Sequence, residues 1–224
     1  MPEPLDYTIR RSTRARRVRI RVDPDASIEV VLPARAPQRE AALAVKELRP
    51  WIDRRIAEAN AARTRLQSPP GTVPFLGAQL RLHSDEGRTR AHRKGEHLHV
   101  PAERIAQAEA LERWYRAQAR AQIAPRLDQA TQHLGRPYTK LTIRNQRTRW
   151  GSCSTTGAMS FNWRLLLAPE PVLDYVIWHE ACHLVVMDHS RRFWALVERH
   201  VPGYREPRRW LRQNGSALVL PGPG

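Results

Sequence analysis

Residues 179–183 read His-Glu-Ala-Cys-His, a pattern whose residue types and spacing suit metal chemistry. On a helix, positions i and i+4 lie one above the other, so His179 and His183 can direct ring nitrogens at one ion. Glu180 is rotated by about 100° from its neighbour and can reach a water molecule held by that ion. This arrangement is typical of a zinc-activated water with a carboxylate general base. The segment therefore predicts a hydrolytic site.

A third histidine, His189, lies beyond the expected end of this helix near Asp188. A turn of the chain there would complete a three-histidine site with one open position. We therefore predict one Zn²⁺ per chain, with His179, His183 and His189 as metal ligands and Glu180 as the catalytic residue. Three imidazoles and an open position favour zinc over manganese or nickel.

The alternative is a metal-free helix with two half-buried histidines and His189 as a surface loop residue. Burying such polar groups unpaired is costly, and their neighbours are apolar: Val176, Ile177, Leu184 and Val185. This favours the metal site. We expect both cysteines to be structural, because Cys182 points away from the histidine face and Cys153 has no nearby CxxC partner.

The elements that must position these residues follow from local signals. Pro169-Glu170-Pro171 predicts the start of the metal-binding helix, with an acidic residue near the positive helix end. Ser190 is expected to cap the next helix, from Arg191 to His200. Residues 158–163 read as a strand with Ser160 and Asn162 on its polar face. That strand either lines the cleft as an edge that binds an extended peptide, or is an interior strand without ligand contact.

Periodicity predicts the remaining elements. They are a hairpin of strands 17–22 and 28–32, a helical stretch 38–66 that Pro50 breaks or restarts, short strands within 73–100, a long helix 103–133 with a probable kink at Pro125, and a strand 139–144. The arginine face of strand 17–22 is either a solvated surface or an anion-binding face. Four histidines, His83, His92, His97 and His99, are expected to be exposed strand residues, since their spacing matches no compact metal site.

Several short motifs of this chain resemble the YgjP-like metallopeptidase family, which is similar to the SprT-like and WLM zincin domains. They are Arg149-Trp150-Gly151-Ser152-Cys153-Ser154, Asn162-Trp163-Arg164-Leu165, Asp174-Tyr175-Val176 before His179-Glu180, His189-Ser190 with Phe193-Trp194, then Tyr204 and Trp210-Leu211. The resemblance is strong over residues 139–213 and loose elsewhere. It implies that the three histidines match the family's metal ligands and that Glu180 matches its catalytic glutamate.

The resemblance also implies an α+β, zincin-like catalytic domain with an active-site helix and a small antiparallel sheet, preceded by a β-rich N-terminal lobe with a helix. We expect the lobe over residues 1–100, the catalytic domain over 101–214 and a flexible tail over 215–224. For the group that stabilises the oxyanion, Arg147, Arg149, Arg164 and Tyr204 are open candidates.

Composition narrows the class of protein and of partner. The 224 residues carry a net charge of +16, and all but three of the 38 basic residues are arginines. No stretch resembles a signal peptide or a membrane span, and two cysteines cannot form a disulfide framework, so a cytoplasmic protein without membrane contact is expected. The charge reflects either an anionic partner, such as nucleotide or nucleic acid, or overall arginine-rich composition.

Three functions are compatible with these features. A zinc-dependent peptidase acting on a peptide or protein is favoured. A metal-dependent nucleoside triphosphate pyrophosphatase or phosphohydrolase would use the same site with arginines as phosphate clamps, although no G-x-x-x-x-G-K-[ST] loop is present. A nucleic-acid-associated protein with a structural metal would not require Glu180.

Overall fold

The computed structural model describes residues 5–23, 25–146 and 149–220. Its strands, in chain order, are β1 (Thr8–Ser12), β2 (Arg19–Val22), β3 (Ile28–Pro33), β4 (Thr72–Phe75), β5 (Ala78–Asp85), β6 (His92–Lys94), β7 (His97–Pro101), β8 (Lys140–Arg144), β9 (Gly151–Cys153) and β10 (Ala158–Asn162). Its α-helices are α1 (Arg39–Glu47), α2 (Arg49–Arg65), α3 (Arg104–Leu134), α4 (Glu170–Cys182), α5 (Arg191–His200) and α6 (Arg205–Asn214). Short 3-10 helices, Trp163–Leu167 and Gly215–Ala217, precede α4 and follow α6. The predicted α+β fold is confirmed.

The first of two compact units comprises residues up to Gln67 together with Arg212–Ala217. Its sheet has the order β1-β3-β2; β2 and β3 form the predicted antiparallel pair, and β1 adds a parallel strand that periodicity did not indicate. The helical stretch divides at Leu48, so Pro50 lies in the first turn of α2, where its missing N–H costs nothing. Apolar residues of β3, α1 and α2 share one core: Ile28, Val30, Leu32, Ala41, Val45 and Ile52.

Two arginines of this sheet, Arg10 and Arg21, are matched by acidic residues. Arg10 donates to both carboxylate oxygens of Glu29, at 3.0 and 3.3 Å. Arg21 pairs with Asp23 at 3.0 Å. These contacts favour the interpretation of this face as a solvated surface.

The second unit comprises residues 68–211 and 218 onward. Its four-stranded sheet has the order β4-β5-β7-β6, with turns at Gly77, Gly87 and Gly95, which adopt the positive φ that favours glycine. The long helix α3 continues through Pro125 and ends at Gly135, also at positive φ. Apolar residues of the strands face α3, as shown by the 5.3 Å between the ring centroids of Phe75 and Trp114.

The strands β4 to β7 belong to the same compact unit as α3 and α4, and the domain boundary at residue 100 stays a prediction. The strands over 72–101 pack with the catalytic elements because Tyr115 on α3 donates to the carbonyl of Pro74 at 2.5 Å. The backbone N–H of Leu76 also donates to the carbonyl of Leu166 at 2.8 Å. Ala217 and Leu218, in the segment expected to be a flexible tail, are buried. Residues 221–224 lie outside the described residues.

A third sheet, of order β8-β10-β9, packs beside α4. It is mixed rather than antiparallel, because β10 pairs in parallel with β8 and antiparallel with β9. β10 is thus the central strand, and Met159, Ser160, Phe161 and Asn162 are all buried. The hypothesis that this strand is a sheet edge is wrong, because β10 is an interior strand. The edges are β8 and β9, and the three residues of β9 were too short to give a period-two signal.

Helix α4 is anchored at its beginning. Pro169 is its N-cap, Pro171 lies in its first turn, and Glu170 lies at the positive helix end, as predicted. Arg126 of α3 contacts Asp174 at 3.1 Å and also pairs with Glu170. These ion pairs are half-exposed and contribute little free energy, but they fix the register of α4 against α3.

Within the described ranges, none of the helices combines the length and apolar character that a bilayer crossing requires.

The packing of α4 predicts a large stability loss for Leu173→Ala. Leu173 is 0% exposed, and removing its buried methyl groups should cost about 2–5 kcal/mol of unfolding free energy. Ile105→Ala is the matched control in the same unit, because that side chain is 71% exposed and should change stability within about 0.5 kcal/mol. Chemical denaturation followed by far-UV circular dichroism measures both, and equal losses in the two variants would contradict this packing.

Candidate metal centre

The structure brings together the three histidines that the sequence singled out. One ligand atom from each of His179, His183 and His189 lies within 4.8 Å of the other two. Within the described part of the chain, this is the one group of three or more histidine, cysteine or acidic residues with that convergence. His179 lies in α4, His183 is the C-cap of that helix, and His189 lies just before α5.

The helix ends at Cys182, earlier than the predicted stop near Asp188, yet His183 keeps a right-handed helical conformation (φ −66°, ψ −18°). His179 and His183 therefore keep the i, i+4 relation that stacks their side chains. The chain then turns at Asp188, whose carboxylate accepts from the backbone N–H of Ser190 at 3.0 Å. Ser190 caps α5 as predicted by accepting from the N–H of Phe193 at 3.4 Å. These two caps place His189 beside α4.

Hydrogen bonds and ring contacts orient the imidazoles. His183 Nδ1 donates to the carbonyl of Val186 at 3.1 Å, which leaves the lone pair of its Nε2 available to a ligand. The Nε2 atoms of His179 and His189 face each other at 3.2 Å. Phe193 is 0% exposed and stacks on His183 with ring centroids 4.4 Å apart. Phe193 and Trp194 also contact the ring of His179, at 5.0 and 5.6 Å.

This donor set fits zinc. Tetrahedral zinc with Zn–N bonds of about 2.0–2.1 Å places two ligating nitrogens about 3.3 Å apart, close to the observed 3.2 Å. Burial, followed by the nearby charges of His183, His189 and Arg208, lowers the pKa of His179 to about 3. Burial also lowers the pKa of His183. Both rings are therefore neutral at pH 7, which is the protonation state that binds metals.

Glu180 is seated against the edge strand β9. A Cβ atom on Gly151 would lie 2.5 Å from Cγ of Glu180 and 2.6 Å from its Oε1, so the glutamate side chain occupies the space that any larger residue would need. The backbone N–H of Cys153 hydrogen-bonds to the Glu180 carboxylate. The carboxylate is thus held between α4 and the main chain of β9.

Burial raises the pKa of Glu180 to about 7, because water is largely excluded from a side chain that is 6% exposed. The positive charge of Arg149 and the Cys153 N–H act in the opposite direction. The carboxyl group thus exchanges its proton near neutral pH, the range that suits a general base.

Polar residues of β10 hold in place the backbone segment that contacts Glu180. Asn162 is 1% exposed, and its side-chain amide donates to the carbonyls of Gln146 at 2.7 Å and Arg149 at 3.3 Å. Its backbone N–H donates to the carbonyl of Trp150 at 2.8 Å. The hydroxyls of Ser152 and Ser160 bond across β9 and β10 at 2.8 Å. These buried polar side chains hold the segment that leads into Gly151.

The candidate oxyanion-stabilising residues separate into different environments. Arg147 lies outside the described residues. Arg149 is exposed and acts electrostatically on Glu180. Arg164 lies over the ring of Trp163, with its Cζ 5.7 Å from the centroid. Tyr204 is buried and stacks on Trp194 at 5.1 Å.

Sequence reasoning missed Tyr175, Gly151 and the main chain of Cys153. Tyr175 lies one turn before His179, with ring centroids 5.7 Å apart, and stacks on Tyr204 at 6.3 Å. Burial raises its pKa to about 12, so the phenol keeps its proton and can donate it in a hydrogen bond. All three residues lie in the motifs that carried the family resemblance, and nothing else in the sequence marked them.

Neither cysteine lies in the histidine cluster, and of the four histidines predicted to be exposed strand residues His83, His92 and His97 are exposed whereas His99 is half-buried. Cys182 is fully buried, which raises its pKa to about 12. Cys153 is partly buried, and its thiol contacts the carbonyl of Ser154 at 3.5 Å. His83 and His97 are exposed on β5 and β7 and hydrogen-bond at 2.6 Å, whereas His99 pairs with Asp85 at 3.1 Å.

No curated protein matches this chain. Among solved structures, the chain is similar to one described as the crystal structure of the metallopeptidase zymogen of Pyrococcus abyssi abylysin, at 28% identity over 43% of this chain and 99% of that chain, with a TM-score of 0.38. The model of the family described as "YgjP-like, metallopeptidase domain" matches residues 16–214. The resemblance seen in the sequence is thus confirmed, and this chain belongs to the YgjP-like metallopeptidase family.

Proposed function

We propose that this protein is a zinc-dependent metallopeptidase in which His179, His183 and His189 hold the ion and Glu180 is the general base. The observation that carries the proposal is the convergence of three imidazole rings beside a buried carboxylate. Membership in a metallopeptidase family supports a metal-dependent hydrolase with peptide or protein substrates. No observation in the described structure favours phosphoanhydride substrates over peptides.

The chemistry that a bound zinc ion supplies is Lewis acidity, which polarises a carbonyl and acidifies water. Glu180 takes a proton from the attacking water at its carboxylate and later gives that proton to the leaving nitrogen. The Cys153 N–H holds the carboxylate in place during both transfers, and Arg149 favours its ionised form. Tyr175, protonated and next to His179, is positioned to donate a hydrogen bond to the developing oxyanion.

The ligand assignment predicts the metal content of the purified chain. Protein prepared without chelators or a histidine tag should contain about one zinc per chain by elemental analysis. His183→Ala should lose that zinc, because two remaining imidazoles hold the ion far more weakly. His133→Ala is the control, since this exposed histidine of α3 bonds the carbonyl of Gln129 and contacts the ring of Trp178 but is not one of the three converging histidines. Unchanged zinc in His183→Ala would refute the assignment.

The base assignment predicts the behaviour of Glu180→Gln. This variant keeps the shape of the side chain but cannot accept the proton, so peptide turnover should fall at least about a hundredfold. Zinc content should stay near that of the wild type, since Glu180 is not a proposed ligand. Glu96→Gln, on an exposed turn, should keep full activity. Peptides and nucleotides should be screened together: release of phosphate or pyrophosphate with no new peptide ends would overturn the peptidase proposal.

The close packing of Glu180 against Gly151 predicts a steric effect when Gly151 is replaced by a larger residue. In Gly151→Ala the added Cβ collides with Glu180, so the carboxylate must leave the Cys153 N–H. We expect at least a tenfold loss of kcat/KM for peptide cleavage, with zinc retained because the histidines are untouched. Thr155→Ala changes an exposed residue of the same β9–β10 hairpin and should behave as wild type. Wild-type turnover in Gly151→Ala would show that Glu180 does not need this position.

A further inference from the structure

The guanidinium of Arg208 lies beside the histidine cluster, and the proposed mechanism gives this cation no role. Cζ of Arg208, on α6, lies 4.3 Å from the ring centroid of Trp194. The ring of Trp194 is in turn 5.6 Å from the rings of both His179 and His189. One aromatic ring therefore separates this guanidinium from two proposed metal ligands.

We propose that Arg208 forms a carboxylate-binding subsite next to the catalytic centre, a specificity that rests on the proposed peptidase function. The carboxylate is either the C-terminal group of a peptide or the side chain of an acidic residue near the cleaved bond. Both present the same planar pair of oxygens, which a guanidinium fork binds bidentately.

The stacked geometry leaves the binding groups of Arg208 available. A guanidinium that lies over an aromatic ring uses its face for the cation–π contact, and its N–H donors point outward in its own plane. Among the described residues, no carboxylate lies within ion-pair distance of Arg208. By contrast, Arg116 and Arg126 on α3 both pair with acidic side chains. Arg208 thus keeps its bidentate fork for a ligand.

Aromatic rings hold the platform under Arg208 in place. Trp194 stacks on Tyr204 at an interplanar angle of 13°, and Tyr204 stacks on Tyr175 at 17°. Phe193 contacts the edge of Trp194 at 5.1 Å. A guanidinium on a fixed indole loses less conformational freedom when it binds than one on a mobile side chain.

Geometry places Arg208 in the same site as the proposed catalytic residues. Its guanidinium lies 4.3 Å from the ring centroid of Trp194, and that ring is 5.6 Å from the ring of His179. A substrate carboxylate at Arg208 would therefore lie within reach of a peptide whose scissile bond is at the histidines.

Two matched pairs of peptides test the subsite and identify the source of the carboxylate. The first pair differs only in a free C-terminal acid against an amide, and the second only in Glu against Gln beside the cleaved bond. Wild-type protein should prefer the carboxylate member of one pair by about tenfold or more in kcat/KM, mainly through KM. The pair that shows the preference tells a C-terminal subsite from one for acidic side chains.

The variants assign the preference to Arg208. Arg208→Gln should abolish it while zinc content and circular dichroism stay unchanged, and Arg208→Lys should restore only part of it because an ammonium lacks the fork. Arg209→Gln, the exposed neighbour on α6, removes the same charge and should keep the preference. Equal cleavage of both members in both pairs, or a preference that survives in Arg208→Gln, would overturn the proposal.

A binding measurement separates this proposal from the peptidase proposal. If the wild type cleaves no peptide, the proposed function fails, yet titration of the same peptides into Glu180→Gln protein still tests Arg208. Tighter binding of a carboxylate member, lost in the Glu180→Gln/Arg208→Gln double variant, would support the subsite. Equal affinities for acid and amide, and for Glu and Gln, would exclude it.

Discussion

The contact between Glu180 and the backbone of Gly151 is the constraint on which the site depends. A helix residue and a strand residue, far apart in the chain, share a space that holds only one side chain. The glutamate can stay there because β9 supplies the N–H of Cys153, and β9 is held by the hydroxyl contact of Ser152 with Ser160. The burial of the polar residues Ser160 and Asn162 on β10 is therefore explained by their hydrogen bonds to the segment that surrounds Glu180. A strand that served only packing would have apolar residues at those positions.

The burial of the site residues also determines their protonation states. His179, His183 and the carboxyl group of Glu180 lie within or at the end of an apolar helix, where charge is poorly solvated. Neutral rings result for His179 and His183, while the carboxyl group of Glu180 is drawn toward neutrality. Such groups are costly to bury unless an ion or a proton transfer uses them. The rings of Phe193 and Trp194 pack against the imidazoles, and neither side chain offers a group that competes with them as a metal ligand.

Several elements of the fold and of the candidate site could be predicted from periodicity and spacing. The i, i+4 pair, the Ser190 cap and the long helix over 103–133 are local signals, because each depends on residues within two turns of one another. The position of β10 in its sheet was not predictable, since its two neighbours are β8 and the three-residue β9, and strand order is a property of the whole fold. Gly151 was missed for a similar reason. Its importance depends on the side chain of Glu180 that faces it, and the sequence around the glycine does not indicate that contact.

Net charge shows the limit of composition as a guide to function. A surplus of arginines predicts a positive field but does not tell which arginine binds what. In the structure, Arg10, Arg21 and Arg126 are matched by acidic neighbours and act as surface or packing residues. Arg208 lies over an indole face, which attracts the cation without occupying its donors, and that indole contacts the rings of His179 and His189. Arg93 and Arg164 also lie over aromatic rings, so the position of Arg208 beside the histidines, and not the total charge of +16, is what distinguishes it.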